Sequence, residues 1–384
     1  MAKLFAIEKS AVLNDKGCMS EPDEIDAQLK LIAKMLVEAR APLIYGLTQF
    51  TVEAQELAVE LAMCLRGAID TPRGSHIPAR GTSLQLHGEA RTTLGELRQY
   101  ADVLVFVGCE PTPKFRTLFA VDGTPEWPAK KVYALPFLGS DTLWHELGCR
   151  NSEEVQVLRK KRNATTPRDP KHEELLAAWQ TAKYPVLIYE PTKLAKSFCV
   201  NAASYLLEQL ERAALVRAKF GRAAAWPIEL SDGLLSNAAG AEYVLTARTG
   251  YPAAVQCYSG RAEFMPGVTN AEALLADGVI DAALFLGEGP SAAWTNAALQ
   301  HLQNIPTAII ASKEAMQGRV CKHQIACCAL GEVGGTIVRE DGVPTMCRPS
   351  SASRNTHAPD ASSLLYRLLE LVREPAAAAS GAAR

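Results

Sequence analysis

The stretch from Thr71 to Thr92, TPRGSHIPARGTSLQLHGEART, has the residue types best suited to hold a ligand. Three arginines (Arg73, Arg80 and Arg91) and two histidines (His76 and His87) stand there against one acid, Glu89. Guanidinium groups grip carboxylates and phosphates through paired, charge-assisted hydrogen bonds, and Gly74 and Gly81 leave backbone amides free to join them. The expected ligand is an acidic group. A second candidate is RTGYPAAVQCYSGR, from Arg248 to Arg261, where Tyr251 and Tyr258 lie between two arginines. An ordinary loop or a subunit contact accounts for either stretch equally well.

Other chemistries find less support. The ten cysteines are scattered without a CxxC pair. Most lie in apolar runs, as Cys64 and Cys327 do, the pattern of buried free thiols in a reducing compartment. The seven histidines show neither HExxH nor HxH spacing, so no zinc or iron-sulfur site is expected from this chain alone. There is no GxSxG elbow, and Ser259-Gly260-Arg261 reads as a loop. GxGxxG and Walker patterns are also missing, which argues against a standard phosphate-binding loop. No residue is assigned a catalytic role, and none a metal.

Two matched segments supply the frame that must position these residues. Tyr100 to Pro111, YADVLVFVGCEP, and Ile280 to Pro290, IDAALFLGEGP, both read Asp-x5-Gly-x2-Pro, with Asp102 matching Asp281 and Gly108 matching Gly287. An apolar run ending in a glycine turn is the pattern of a buried parallel strand, and open α/β sheets bind ligands beyond the carboxyl ends of such strands. Gly108, Cys109 and Gly287 are therefore rim residues, with Cys109 the obvious reactive group. Pro185 to Tyr189 echoes Pro42 to Tyr45 down to the closing tyrosine, a second anchor of the repeat. The expected fold class is α/β, with two related Rossmann-like parallel-sheet units.

The apolar pattern fades around EVQVLRKKRNATTPRDPK, which places a boundary near residue 155. The expected layout is a first α/β unit over 1–155, a second over 156–374 with a closing hairpin and helix, and a mobile low-complexity tail over 375–384. Residues 71–92 read as a loop, Thr93 to Glu96 (TLGE) as a helix-capping box, and Leu215 to Phe220 as a strand. At 384 residues, 48% hydrophobic and 21% charged, the chain can bury a sizeable core, and a formal charge of -2 argues against a broad nucleic-acid surface. No signal pattern or membrane span is visible, and the expected location is cytoplasmic.

Five segments together point to a family: PLIYGLTQFTVEAQELAVELAMCLRGAID, TLGELRQYADVLVFVGCEP, RTGYPAAVQCYSGRAEFMPG, ALLADGVIDAALFLGEGP and GEVGGTIVREDGVP. In order and spacing, over roughly residues 25 to 350, they resemble the B subunit of formylmethanofuran dehydrogenases, relatives of the molybdopterin oxidoreductases. The resemblance implies a molybdopterin-oxidoreductase-like fold of repeated α/β domains.

Departures from that family carry their own expectation. The dehydrogenases bind a [4Fe-4S] cluster through an N-terminal group of cysteines, whereas only Cys18 precedes residue 60 here. They also carry a metal-ligating Cys or selenocysteine followed by His-Gly-Pro, where a gapless match puts His76, Ile77 and Pro78. Without the soft thiolate, a molybdenum or tungsten centre of that type is not expected, nor is the N-terminal iron-sulfur domain. A member lacking both centres resembles the B subunit of the bacterial formyltransferase/hydrolase complex. That complex moves a formyl group from formyl-tetrahydromethanopterin through methylofuran to formate. The resemblance implies a non-catalytic scaffold beside an amidohydrolase-type A subunit, a C subunit and a formyltransferase D subunit, with no nucleic-acid or membrane partner.

On that reading Arg73, His76, Arg80 and Arg91 are candidates to guide the coenzyme's glutamate-rich tail. Gly108, Cys109, Gly287, Tyr251 and Arg261 rim a former pterin cleft, and Cys109 becomes a packing residue. The rivals are an active tungsto- or molybdopterin formylmethanofuran dehydrogenase component and a free-standing dinucleotide-type α/β enzyme.

Overall fold

A computed structural model describes residues 22–74, 77–111, 130–136, 141–149, 152–161, 170–228, 236–317, 321–349 and 358–381. The chain forms two compact units, neither continuous in sequence. The first comprises 1–72, 241–336 and 346–384, and the second comprises 73–240 and 337–345.

Sheet order in the first unit is β10-β9-β8-β1-β2-β7, built from β1 (Pro42–Gly46), β2 (Ala68–Asp70), β7 (Val255–Gln256), β8 (Ala282–Leu286), β9 (Thr307–Ala311) and β10 (His323–Ala326). All neighbours pair in parallel except β7, which runs antiparallel on β2. Alternate residues feed two cores. Ile44, Leu284 and Ile310 pack against helices that include Pro22–Glu38, Val52–Cys64 and Ala361–Gly381, while Leu43, Phe285 and Ile309 pack with Leu274 and Ala298 on the other face. Burial on both faces is why these strands read as continuous apolar runs.

The second unit has four parallel strands ordered β4-β3-β5-β6: β3 (Val103–Val107), β4 (Lys131–Leu135), β5 (Pro185–Tyr189) and β6 (Ala224–Pro227). Val105, Leu187 and Trp179 share one core, and Phe106, Ile188 and Trp226 the other. A two-stranded hairpin, β11 (Gly335–Val338) with β12 (Pro344–Cys347), completes the set, its tip counted with the second unit.

The repeat is present in three dimensions. Strands β4-β3-β5-β6 of one sheet match β9-β8-β1-β2 of the other. Asp102 accepts the Lys183 and Tyr184 N–H groups at 2.7 and 2.9 Å, at the entrance to β5. Asp281 accepts those of Arg40 and Ala41 at 2.8 and 3.0 Å, at the entrance to β1. Gly108 and Gly287, with φ of 63° and 77°, donate to Leu135 at 2.7 Å and Ile310 at 2.8 Å respectively. Both turns need the left-handed backbone that glycine adopts without penalty. The echoed tyrosines, however, are not equivalent. Pro42 pairs with Ala282 and Pro185 with Val103, which aligns Tyr45 with Ile188 and Tyr189 with Gly46.

The matched strands also interleave. Because β3 pairs with β5 and β1 with β8, the compact units change over after residues 72 and 240, not near 155. Three local readings differ as well. A helix, Ile77–His87, occupies the stretch read as a loop. Residues 215–218 end the helix Val200–Ala218, and the strand comes later as β6. The closing helix continues to Gly381, through an alanine run of high intrinsic helix propensity. Among the described residues no helix is long and apolar enough to cross a membrane.

Candidate functional site

The arginine-rich stretch lies in the second unit, and its cations are already engaged. Arg73, with 3% of its side chain exposed, holds Glu340 through two bonds of 3.0 and 2.6 Å. Arg80 bonds Glu89 at 3.2 Å, and Arg91 bonds the other oxygen of the same carboxylate. Burial pushes Glu89 upward, but the two guanidiniums outweigh it and hold its carboxyl below the usual range. The structure thus brings Arg80 and Arg91 together and gives Arg73 a separate partner. Arg91, about a third exposed, is the most open of the three. His76 lies outside the described residues.

Beneath Glu89 is a group the sequence did not flag. Glu211, on the helix Val200–Ala218, is 1% exposed and accepts the Tyr189 hydroxyl at 2.7 Å and the Ala90 N–H at 3.1 Å. Burial pushes its carboxyl up to about 7, with the Glu89 charge adding to the rise. The Tyr189 hydroxyl, the Ala90 amide and Arg80 pull the other way. Burial likewise raises Tyr189 well above its ordinary value. Because Ala90 also accepts the Ala225 N–H at 2.7 Å, the Glu89–Arg91 segment is pinned between β6 and Glu211.

The rim residues are divided between the units. In the second, Gly108 and Cys109 follow β3, and the buried Cys109 thiol donates to the Ile188 carbonyl at 3.6 Å. In the first, Gly287 follows β8 where the sheet order reverses between β8 and β1, the usual ligand position of an open sheet. A carboxylate of the chain occupies that switch point. Glu288 accepts both the N–H and the hydroxyl of Thr48, at 3.2 and 2.6 Å. Leu47 beside it has φ of 79°, a strained value for a residue with a side chain.

Tyr251 stacks on Phe264 with ring centroids 5.5 Å apart, while Arg261 is exposed. Their segment is tethered by Asp70, a second group the sequence left unmarked. Its buried carboxylate accepts N–H groups from Thr71, Ala254 and Ala271 at 2.8, 3.0 and 2.8 Å. A cavity of about 230 Å³ in the same unit follows the carboxyl ends of β1 and β10, lined by Gln49, Phe50, Thr51, Cys328, Leu330 and Asp360 among others. Among the described residues, no three His, Cys, Asp or Glu side chains are grouped so as to hold a metal.

Doubly covered parallel sheets with an internal repeat place the chain among the open-sheet α/β proteins. Its fold is shared with a chain of the formyltransferase/hydrolase complex FhcABCD from Methylorubrum extorquens, determined in complex with methylofuran. The TM-score is 0.70 at 20% identity, over 94% of this chain and 99% of that one. In sequence it is similar to the B subunit of tungsten-containing formylmethanofuran dehydrogenase 2 from Methanocaldococcus jannaschii, 28% identical over 362 residues, covering 85% of this chain and 78% of the relative. The Methanococcus maripaludis counterpart is 27% identical over 336 residues, covering 82% and 76%. No protein-family model matches.

Proposed function

We propose that this chain is the B-type subunit of a formyltransferase/hydrolase complex, a non-catalytic α/β platform for hydrolase (A), C and transferase (D) subunits. In that complex the formyl group passes from formyl-tetrahydromethanopterin through methylofuran to formate. The observation that carries the proposal is the convergence of two likenesses: a sequence related to the B subunit of formylmethanofuran dehydrogenase, and a fold matching a chain of FhcABCD over nearly the full length of both.

The donor set favours this reading over a tungsten enzyme. The position matched to the metal-ligating thiolate holds His76, and the buried Cys109 thiol bonds a backbone carbonyl. A soft-metal centre of the dehydrogenase type requires a thiolate at that position. Loss of the pterin-metal and [4Fe-4S] sites is part of the proposal. So is a narrower role for the arginine cluster. Arg91 is the best-placed residue to meet an acidic coenzyme tail, since Arg73 and Arg80 are more deeply held in ion pairs. Assaying the isolated chain for formyl transfer, formate release and bound metal tests the platform role. Background rates and no stoichiometric metal are expected, and intrinsic turnover or one tungsten per chain overturns the proposal.

A further inference from the structure

The hairpin of β11 and β12 ends in Arg339-Glu340-Asp341-Gly342-Val343, and each of the two acids at its tip is bonded to another residue of the second unit. Glu340 meets Arg73 in the bidentate pair described above. The Asp341 side chain is 1% exposed and accepts the Leu94 N–H at 2.7 Å. Just before the tip, the Val338 N–H donates to the fully buried Asn237 at 2.8 Å. The Asn237 amide packs closely on Gly240, where a side chain would collide with it. Three separate elements of the second unit therefore converge on one short acidic peptide.

Among the described residues the hairpin is a ribbon of two strands, and such ribbons are marginal alone in water. Arg73, the Leu94 amide and Asn237 each hold the tip or the residue just before it. A guanidinium as buried as that of Arg73 requires a carboxylate opposite it, because an unpaired charge at that depth is costly.

We propose that Arg73, the Leu94 amide and Asn237 form a cradle for an acidic peptide, and that the chain's own hairpin tip fills it as a built-in plug. An acidic segment from another molecule gains access only when the tip withdraws. The part Arg73 would then play toward an acidic coenzyme tail rests on the proposed function above, whereas the cradle itself does not.

The full-length chain and a fluorescein-labelled peptide of the tip sequence, Arg-Glu-Asp-Gly-Val, test this by fluorescence polarisation. The double variant Glu340→Gln/Asp341→Asn is expected to bind the peptide at least tenfold more tightly than the wild type, and adding Arg73→Ala is expected to abolish the gain. Equal binding by the wild type and a folded double variant overturns the proposal, as does binding that survives loss of Arg73.

Should the double variant fail to fold, the wild type provides the second measurement. Millimolar peptide is expected to speed tryptic cleavage after Arg339 several-fold by displacing the tip, and an unchanged rate overturns the plug. Neither arm uses a partner subunit or coenzyme, so failure here leaves the platform role standing and the converse also holds.

Discussion

Replacing Glu211 by glutamine is expected to flatten a pH dependence that burial writes into the second unit. The carboxyl has an ordinary value of 4.5 and is pushed up to about 7 in the folded chain. Folding therefore tightens proton binding, and the sign follows from linkage. The group's contribution is most favourable below about pH 4.5 and is lost as pH rises through about 7. At roughly 1.4 kcal/mol per pKa unit, the shift corresponds to about 3 kcal/mol across that window, an order-of-magnitude figure.

Glutamine keeps one acceptor oxygen for the Ala90 N–H, its amide nitrogen can donate to the Tyr189 hydroxyl once that proton turns away, and the charge that faces Glu89 is removed. Urea unfolding of wild type and variant from pH 4.5 to 8, followed by fluorescence of Trp144, Trp179 and Trp226 in the second unit, measures the difference directly. Other titrating groups cancel in the comparison. The stability of the variant relative to wild type is expected to rise with pH by up to about 3 kcal/mol and then level off above pH 7. A difference that stays constant with pH, or falls as pH rises, refutes the assignment of Glu211 as a buried, proton-binding acid.

The remaining expectations concern the repeat and the arginine cluster. Asp102→Ala and Asp281→Ala each delete two charge-assisted N–H bonds at equivalent strand entrances, so each is expected to cost about 2 kcal/mol. Hydrogen exchange distinguishes them: the first variant exposes the Lys183 and Tyr184 amides, the second those of Arg40 and Ala41. On the proposed function, Arg91→Ala in the assembled complex is expected to raise the KM for the coenzyme and leave kcat unchanged, and an unaltered KM argues against the proposed tail guidance.

The strands and their repeat were legible because their signals are local. An apolar run buried on both faces, an aspartate before it and a left-handed glycine after it all lie within nine residues of sequence at Asp102–Glu110. The TLGE capping box was likewise local, and Thr93 and Glu96 bond as expected. The helix Ile77–His87 was hidden because it buries only Ile77, Pro78, Ala79 and Ser83, too few to write an amphipathic period.

Long-range pairing was invisible for a different reason. Arg73 looked available to a ligand because its partner Glu340 is 267 residues away, and nothing local to either residue encodes the match. Glu211 read as one more polar residue on an amphipathic helix, and only the arrival of Tyr189 and the Glu89–Arg91 segment buries it. Interleaving of the two units has the same origin, since strand neighbours are chosen by the assembled sheet.

The proposed platform role requires the chain to travel within a larger assembly. Native mass spectrometry of the untagged protein from its own host tests it most directly. The platform role predicts one copy of this chain for each of three unlike partners, the proposed A, C and D types, with no tungsten or molybdenum mass on this chain when it is released. A chain that travels alone or only with copies of itself, or that carries a stoichiometric metal, contradicts it.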